Sequence, residues 1–519
     1  MSARANQTGG PLTEPLVNAR DDDESSMPLT FCNEARAWAS IAVPTLLCNI
    51  MKTGLVLTNV SILGHYQAVA LNNSTLQETG TLATKYLAAS SYASTWINLS
   101  QLCIVQGFAG SLTVLCAGTT PKLSRSYLSI GLLFTAAVTL CLSPAIFFAG
   151  NIMQTLIRFD DEMRDLVNSY AKVALIGVLP LNLYGALNCF LLSSGKVYKQ
   201  LFTSTVMFGA NVALNFLLIY GADLGLVGSA LATAVTRWCM FVVLLIATLA
   251  GEDSLEGLSP WSALRSSRVR EYLWQSLPIS LTGVLEDGNL EFVAIIAGWL
   301  GTTAAACHNG IFSVLWVLSS AMWAVTSATK VRISSYLAKG DLQRAKFTMK
   351  VSSCIALGTA VFVAVIMVGF HASLGKIFSR DHLVWAKASE IGTLVGSAYA
   401  MIAAFYVSMA VLSAQGRPGI TAVAFVAGAW MVCVPLALFL HFKKIDSLWN
   451  GLFGLWVSLV VGYAITTLIA LYFVIMSPWE KILDASLRRA EATLRKSDPK
   501  HIEEMPEDPL LLLSRSGNA

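Results

Sequence analysis

Charge is scarce in this sequence. Only 13% of its 519 residues are Asp, Glu, Lys or Arg, against roughly 25% in an ordinary soluble domain, while 55% are hydrophobic. Such a chain could not cover its surface in water, whereas a bilayer asks for no polar cover. The net charge of +4 is small and dispersed, which excludes a nucleic-acid partner. Ten cysteines are present, but there is no Cys-x-x-Cys pair and no Cys/His set at ligand spacing. A zinc site and a disulfide framework are therefore excluded, and Cys48, Cys103 and Cys433 read as small packing residues. No cofactor or metal is expected. A cleavable signal peptide is lacking too, because the first ~35 residues are polar and acidic; the first membrane helix is expected to serve as its own insertion signal.

What is present is apolar length. Twelve segments can each span the ~30 Å of hydrocarbon in a bilayer, at about 37–64, 86–114, 127–150, 165–193, 201–221, 226–250, 273–299, 304–329, 351–374, 390–414, 419–441 and 450–476. The expected fold is an all-α integral membrane protein. Its parts are a disordered cytoplasmic tail (1–35), a first lobe (36–250), a cytoplasmic linker (251–272), a second lobe (273–478) and a cytoplasmic tail (479–519). Basic residues concentrate in the loops that lie inside when the N-terminus is cytoplasmic, such as Arg265, Arg268, Arg270, Lys339 and Arg344. Lys443 and Lys444 break the pattern. Asn72 and Asn73 open two overlapping glycosylation sequons on the outer side. Residues 480–496 alternate apolar and basic positions, as an amphipathic helix on the inner membrane surface does. The end, Glu507-Asp508-Pro509-Leu510-Leu511-Leu512, has the form of an acidic dileucine sorting signal. A plasma membrane or an acidic endolysosomal or vacuolar membrane is expected.

The two halves echo each other. Pro44 and Pro278 lie 234 positions apart, and the same offset places Gly54 on Gly288 and Lys52 on Glu286. Later, Leu192-Ser193-Ser194-Gly195 is echoed by Leu412-Ser413-Ala414-Gln415-Gly416, and Gly225-Leu226-Val227-Gly228 by Gly451-Leu452-Phe453-Gly454. Six helices per half make a parallel repeat, a common plan of secondary transporters with the substrate cavity between the repeats.

Charges retained inside a membrane mark function, since each costs at least ~2.5–3.5 kcal/mol at a helix centre. Helix seven reads Leu277-Pro278-Ile279-Ser280-Leu281-Thr282-Gly283-Val284-Leu285-Glu286-Asp287-Gly288-Asn289-Leu290-Glu291-Phe292. At ~100° per residue, Glu286, Asp287 and Glu291 fall within an arc of about 140°. Carboxylates this close cannot all stay charged away from water, so a proton and an arriving cation compete for them. That is the physical basis of proton–cation antiport, with sodium as the other possible coupling ion. The plainer alternative is a buried ion pair with Lys52 or Arg237, both mid-helix; Lys52 and Arg237 could equally face the cavity and favour anionic substrates. Pro278 is placed one turn from the start of its helix. Lys172 and His308 are placed near the outer mouth without a role. Phe312, Trp316, Trp323, Tyr399 and Tyr406 follow helices eight and ten and are candidates to line the cavity by stacking and cation–π contact, together with Asn59 and Asn289.

These residues resemble the eukaryotic branch of the multidrug and toxic compound extrusion (MATE) transporters over about 35–480. Pro278, Glu286 and Glu291 match that family's helix-seven pattern of a proline and two glutamates. Lys330 to Asp341 resembles its "SVRVGNALGAGD" stretch, Ala410 to Gly419 its "GVLRGSGRQ" loop, and Gly64-His65 with Leu87-Ala88-Ala89 its "GH…LAA" pattern. The resemblance implies two six-helix bundles in a V, related by a pseudo-two-fold, that export organic cations or other metabolites by alternating access. It implies proton coupling through the helix-seven glutamates. The chain also departs from the family. The helix-one acidic residue of many bacterial members is Asn59 here, the helix-ten glutamate of mammalian members falls on Ile402, the helix-eight tyrosine falls on Phe312, and Lys52 has no counterpart.

The expectation is thus a monomeric, proton-coupled exporter of small organic molecules. A lipid or glycolipid flippase of the same superfamily would suit a cavity made basic by Lys52 and Arg237. A membrane-embedded transferase would need a catalytic His/Asp or metal-binding constellation, and the sequence offers none.

Overall fold

A computed structural model describes residues 29–66, 76–116, 121–193, 196–250, 266–442 and 448–487. Twelve long helical runs follow one another through these residues, with short helices at Ala149–Ile157 and His371–Leu374 between them. The first six are α1 (Phe31–Gly64), α2 (Leu76–Ile97, continuing through a π turn at Asn98–Leu102 into Cys103–Cys116), α3 (Pro121–Phe147), α4 (Asp161–Ile176 and Val178–Ser193), α5 (Val197–Phe216 with a π turn at Leu217–Gly221) and α6 (Gly225–Ala250). The second six are α7 (Ser266–Trp299), α8 (Thr302–Ala338), α9 (Leu342–Gly369), α10 (His382–Ala414), α11 (Pro418–Phe425, a π stretch Val426–Cys433, then Val434–Phe442) and α12 (Leu448–Ile475).

Nine of these are long and apolar enough to cross a membrane, and α4, bent by 44° at Gly177, makes a tenth. The two others are α2, interrupted by its π turn, and α7, burdened by three carboxylates. Most helices extend past the apolar segments, because their polar ends continue the helix beyond the hydrocarbon. Thus α8 runs on to Ala338 and α9 begins at Leu342. Likewise α7 begins twelve residues before Pro278, so position 278 lies inside it rather than near its start. Loop acids act as caps that satisfy free N–H groups: Asp160 accepts from Met163 N at 3.2 Å, Asp341 from Arg344 N at 2.9 Å and Asp381 from Leu383 N at 2.8 Å.

Helices α1–α6 and α7–α12 form two bundles with matching internal pairings, α2 on α4 corresponding to α8 on α10, and α4 on α6 to α10 on α12. Two seams join the bundles: α1 lies along α8, and the second part of α2 along α7. A two-fold that sends α1 to α7 and α2 to α8 exchanges these seams. The repeated glycines behave alike, since a Cβ on Gly54 would touch the Phe208 ring of α5 at 3.3 Å and one on Gly288 the Trp430 ring of α11 at 3.8 Å. Gly107 allows the α2–α7 seam to close, because a Cβ there would lie 2.2 Å from the Ser280 backbone nitrogen. Hydrogen bonds join the seams, Thr53 with Ser320 (2.9 Å) and Ser276 to Ser111 (3.0 Å), and others cross between the bundles beside them, Ser61 to the Ile377 carbonyl (2.5 Å) and Trp299 to the Leu156 carbonyl (2.7 Å).

After α12 the chain is helical again over 479–487, with Ile482 buried and Trp479 and Leu483 packed on the core. The apolar side of the described part of this helix is thus turned onto the protein itself. The sequons at Asn72 and Asn73, the acidic N-terminal tail, the dileucine-like end, Lys443 and Lys444 lie outside the described residues, as does most of the linker.

Candidate transport cavity

Three compartments with shared lining residues lie within and between the bundles. One of about 570 Å³ is bounded by α2, α7, α8, α10, α11 and α12 and carries Glu286, Asp287 and Glu291. A second, of about 290 Å³, lies within the first bundle and carries Lys52, Arg237, Tyr184, Asn188 and Gln106. The third, about 390 Å³, bridges them, with Lys52, Arg237, Asn98 and Glu291 all on its wall. Leu102 borders all three. The cavity is thus acidic on the α7 side and basic on the α1/α6 side.

The arc expected for helix seven places all three carboxylates on one wall, Asp287 included. Glu291 is anchored from the other bundle: Asn98 Nδ2 donates to its Oε1 at 2.6 Å, and Thr95 also bonds to it. Asn98 opens the π turn of α2. An inserted residue of this kind shifts the helical register and re-aims the side chains that follow. Facing the carboxylates, α8 presents a column of rings. His308 stacks on Phe312 (centroids 5.7 Å), Phe312 meets Trp316 edge-on (5.4 Å), and Trp316 lies 4.5 Å from Trp323. Trp323 Nε1 donates to the Tyr406 hydroxyl at 3.2 Å. The spacing 308, 312, 316 puts these rings on one helix face.

The basic side is open to the cavity. Lys52 Nζ lies 6.0 Å from the centre of the Tyr184 ring. Among the described residues neither Lys52 nor Arg237 pairs with a carboxylate. Glu286 and Asp287 likewise form no ion pair there, so the buried-pair alternative is not realised.

Several expectations are corrected. Asn289 is buried and donates to the Ala429 carbonyl of α11 at 3.0 Å, away from the cavity, because its side of α7 packs within the bundle. Tyr399 is fully buried between α8 and α10, its hydroxyl 3.0 Å from that of Ser319, and does not line the cavity. His308 sits in the cavity wall near the start of α8, buried against Phe312 and Trp456. Asn59 reaches the edge of the bridging compartment, yet it is tied into a network: it donates to Thr233 (2.9 Å) and accepts from Asn215 (2.8 Å), which also bonds Asn211. Phe312, Trp316, Trp323 and Tyr406 line the cavity as expected. Thr95, Asn98 and Gln106 were missed. Their signal is a sparse polar line along an apolar helix.

Two six-helix bundles around a central cavity with charged walls are the architecture of a polytopic membrane transporter of small molecules. The family model MatE matches residues 76–217 and again 278–439, once per bundle, and the chain belongs to the eukaryotic MATE family. It is 22% identical over 491 residues to "Multidrug and toxin extrusion protein 1" of Homo sapiens, covering 92% of this chain and 81% of that protein. It is also 22% identical to "Protein DETOXIFICATION 16" of Arabidopsis thaliana, covering 94% and 96%. The fold is similar to the crystal structure of the eukaryotic MATE transporter AtDTX14, with a TM-score of 0.71 at 19% identity over 89% of this chain and 99% of that one.

Proposed function

We propose that the protein exports small organic molecules in exchange for protons, with Glu286, Asp287 and Glu291 as the coupling groups. The observation that carries this is the placement of three carboxylates on one wall of the inter-bundle cavity, the last of them held by Asn98 of the opposite bundle. Repulsion among them favours the binding of one positive charge at a time, either a proton or the cationic part of a substrate. Occupancy of Glu291 also bears on a bond between bundles, which links ion binding to their arrangement. Relatives named for multidrug and toxin extrusion support a broad range of organic substrates. Either a plasma membrane or an acidic organelle would supply the pH gradient.

The test is pH-gradient-driven uptake of a fluorescent organic cation into proteoliposomes, comparing wild type with Glu286→Gln and Glu291→Gln. Uptake that needs the gradient and is lost in either variant supports antiport through α7. Uptake that survives both, or that runs on sodium alone, removes the assignment.

A further inference from the structure

The exporter reading accounts for the acidic wall and leaves the basic one unused. A lysine and an arginine in the middle of α1 and α6 are costly in a membrane unless something neutralises them. Here no described carboxylate does so. The titratable side chains beside Lys52 are Cys48, Cys189 and Tyr184, and Arg237 has Tyr170 beside it. None of these carries a formal charge in its ordinary state. Both cations line the same two compartments. Two cations on the wall of one space supply the charged donors that an oxyanion requires.

The pseudo-two-fold sharpens the contrast. Lys52 and Glu286 occupy equivalent positions 234 residues apart, so the repeat has placed opposite charges on facing walls. The bridging compartment holds Lys52, Arg237 and Glu291 together, with Phe312 and Trp316 beside them. A ligand with a single charge would satisfy only one of these walls.

We propose that the preferred substrate class is an amphipathic zwitterion. Its anionic group (a carboxylate or phosphate) docks between Lys52 and Arg237, the neighbouring ammonium faces Glu291 across the same compartment, and its body lies on Phe312 and Trp316. This rests on the exporter reading and adds to it a substrate chemistry and an anion subsite.

The experiment uses two probes that differ only by a carboxylate: Nε-dansyl-lysine, and dansylcadaverine, its decarboxylated form. Binding to the purified protein is followed by dansyl fluorescence. Wild type should bind dansyl-lysine about tenfold more tightly than dansylcadaverine. Lys52→Met and Arg237→Gln should each abolish that advantage, read as the ratio of the two affinities in the same variant. Lys52→Arg should keep it. Equal binding of the two probes by wild type would overturn the proposal. So would an advantage that persists in Lys52→Met and Arg237→Gln, or a parallel loss of both probes. If Lys52→Met does not yield monodisperse protein, Arg237→Gln and Lys52→Arg carry the comparison. The two readings fail separately. Gradient-driven uptake of dansylcadaverine with no preference for dansyl-lysine sinks only the anion subsite. A dansyl-lysine preference in a protein whose uptake ignores the pH gradient sinks only the proton coupling.

Discussion

Asn98 and Glu291 belong to different bundles and are joined by a hydrogen bond of 2.6 Å across the cavity. The donor opens a π turn and the acceptor closes the acidic arc of α7, so the bond ties an irregular turn to a candidate coupling group. Removing the amide should cost about 1.5–3 kcal/mol, the range for a hydrogen bond to a charged partner. Asn98→Ala should therefore lower gradient-driven uptake by about tenfold or more. A double mutant tests whether the effect runs through Glu291. Because Glu291→Gln leaves no uptake to measure, the cycle is read in melting temperature: Asn98→Ala added to Glu291→Gln should lower it little further, and additive losses would show that the two act independently.

A second inter-bundle contact lies at the start of α1. Glu34 accepts from Arg332 Nε at 2.7 Å, from Thr348 at 2.7 Å and from Tyr336 at 3.0 Å, all from the second bundle, and Arg332 also bonds Tyr336. Glu34 and Arg332 are both buried. Deleting one partner of such a pair leaves an uncompensated charge and costs about 3–5 kcal/mol, whereas neutralising both costs much less. Arg332→Gln should lower the melting temperature in detergent clearly. Glu34→Gln combined with Arg332→Gln should recover most of it, and a double variant as unstable as the single one would refute the pairing argument.

These two contacts show what a sequence can disclose here. Glu286, Asp287 and Glu291 were legible because charge inside an apolar run has few structural explanations. Asn98 and Gln106 were not, because neutral amides are common in membrane helices and a π turn leaves no clear mark in a residue pattern. Asn289 and Tyr399 were misplaced for a related reason. Periodicity says which residues share a helix face, but not whether that face meets the cavity or a neighbour in the same bundle. The repeat was readable from paired glycines at one offset, since both sit against an aromatic ring of the fifth helix in their own bundle. Glu34 sits at the edge of the membrane segment, where an acid looks like an ordinary helix-start residue. Its partner is 298 positions away.

The α2–α7 seam depends on one missing side chain. A methyl at Gly107 would meet the Ser280 backbone nitrogen at 2.2 Å, and backbone cannot rotate away. Gly107→Ala should therefore destabilise by about 1–3 kcal/mol, as overpacking does, and reduce transport by holding the bundles apart. Gly209→Ala is the control: nothing lies within 4 Å of its position in α5, and alanine favours helix by up to about 1 kcal/mol. A melting point lowered by the first change and kept or raised by the second is the expected pair. Equal effects would mean that helix propensity, not the seam, decides.

The ring column on α8 should govern affinity more than rate. Trp316 borders both the acidic and the bridging compartments and touches Phe312 and Trp323. It offers a flat apolar face beside carboxylates, which suits an aromatic or cationic body by stacking and cation–π attraction, worth about 0.5–2 kcal/mol. Trp316→Ala should raise KM for a fluorescent aromatic substrate several-fold, to about thirtyfold at most, with maximal uptake nearly unchanged. Trp316→Phe should retain most of the affinity because a ring face remains. If the alanine variant instead lowers maximal uptake at constant KM, Trp316 contributes to the movement of the bundles rather than to holding the substrate.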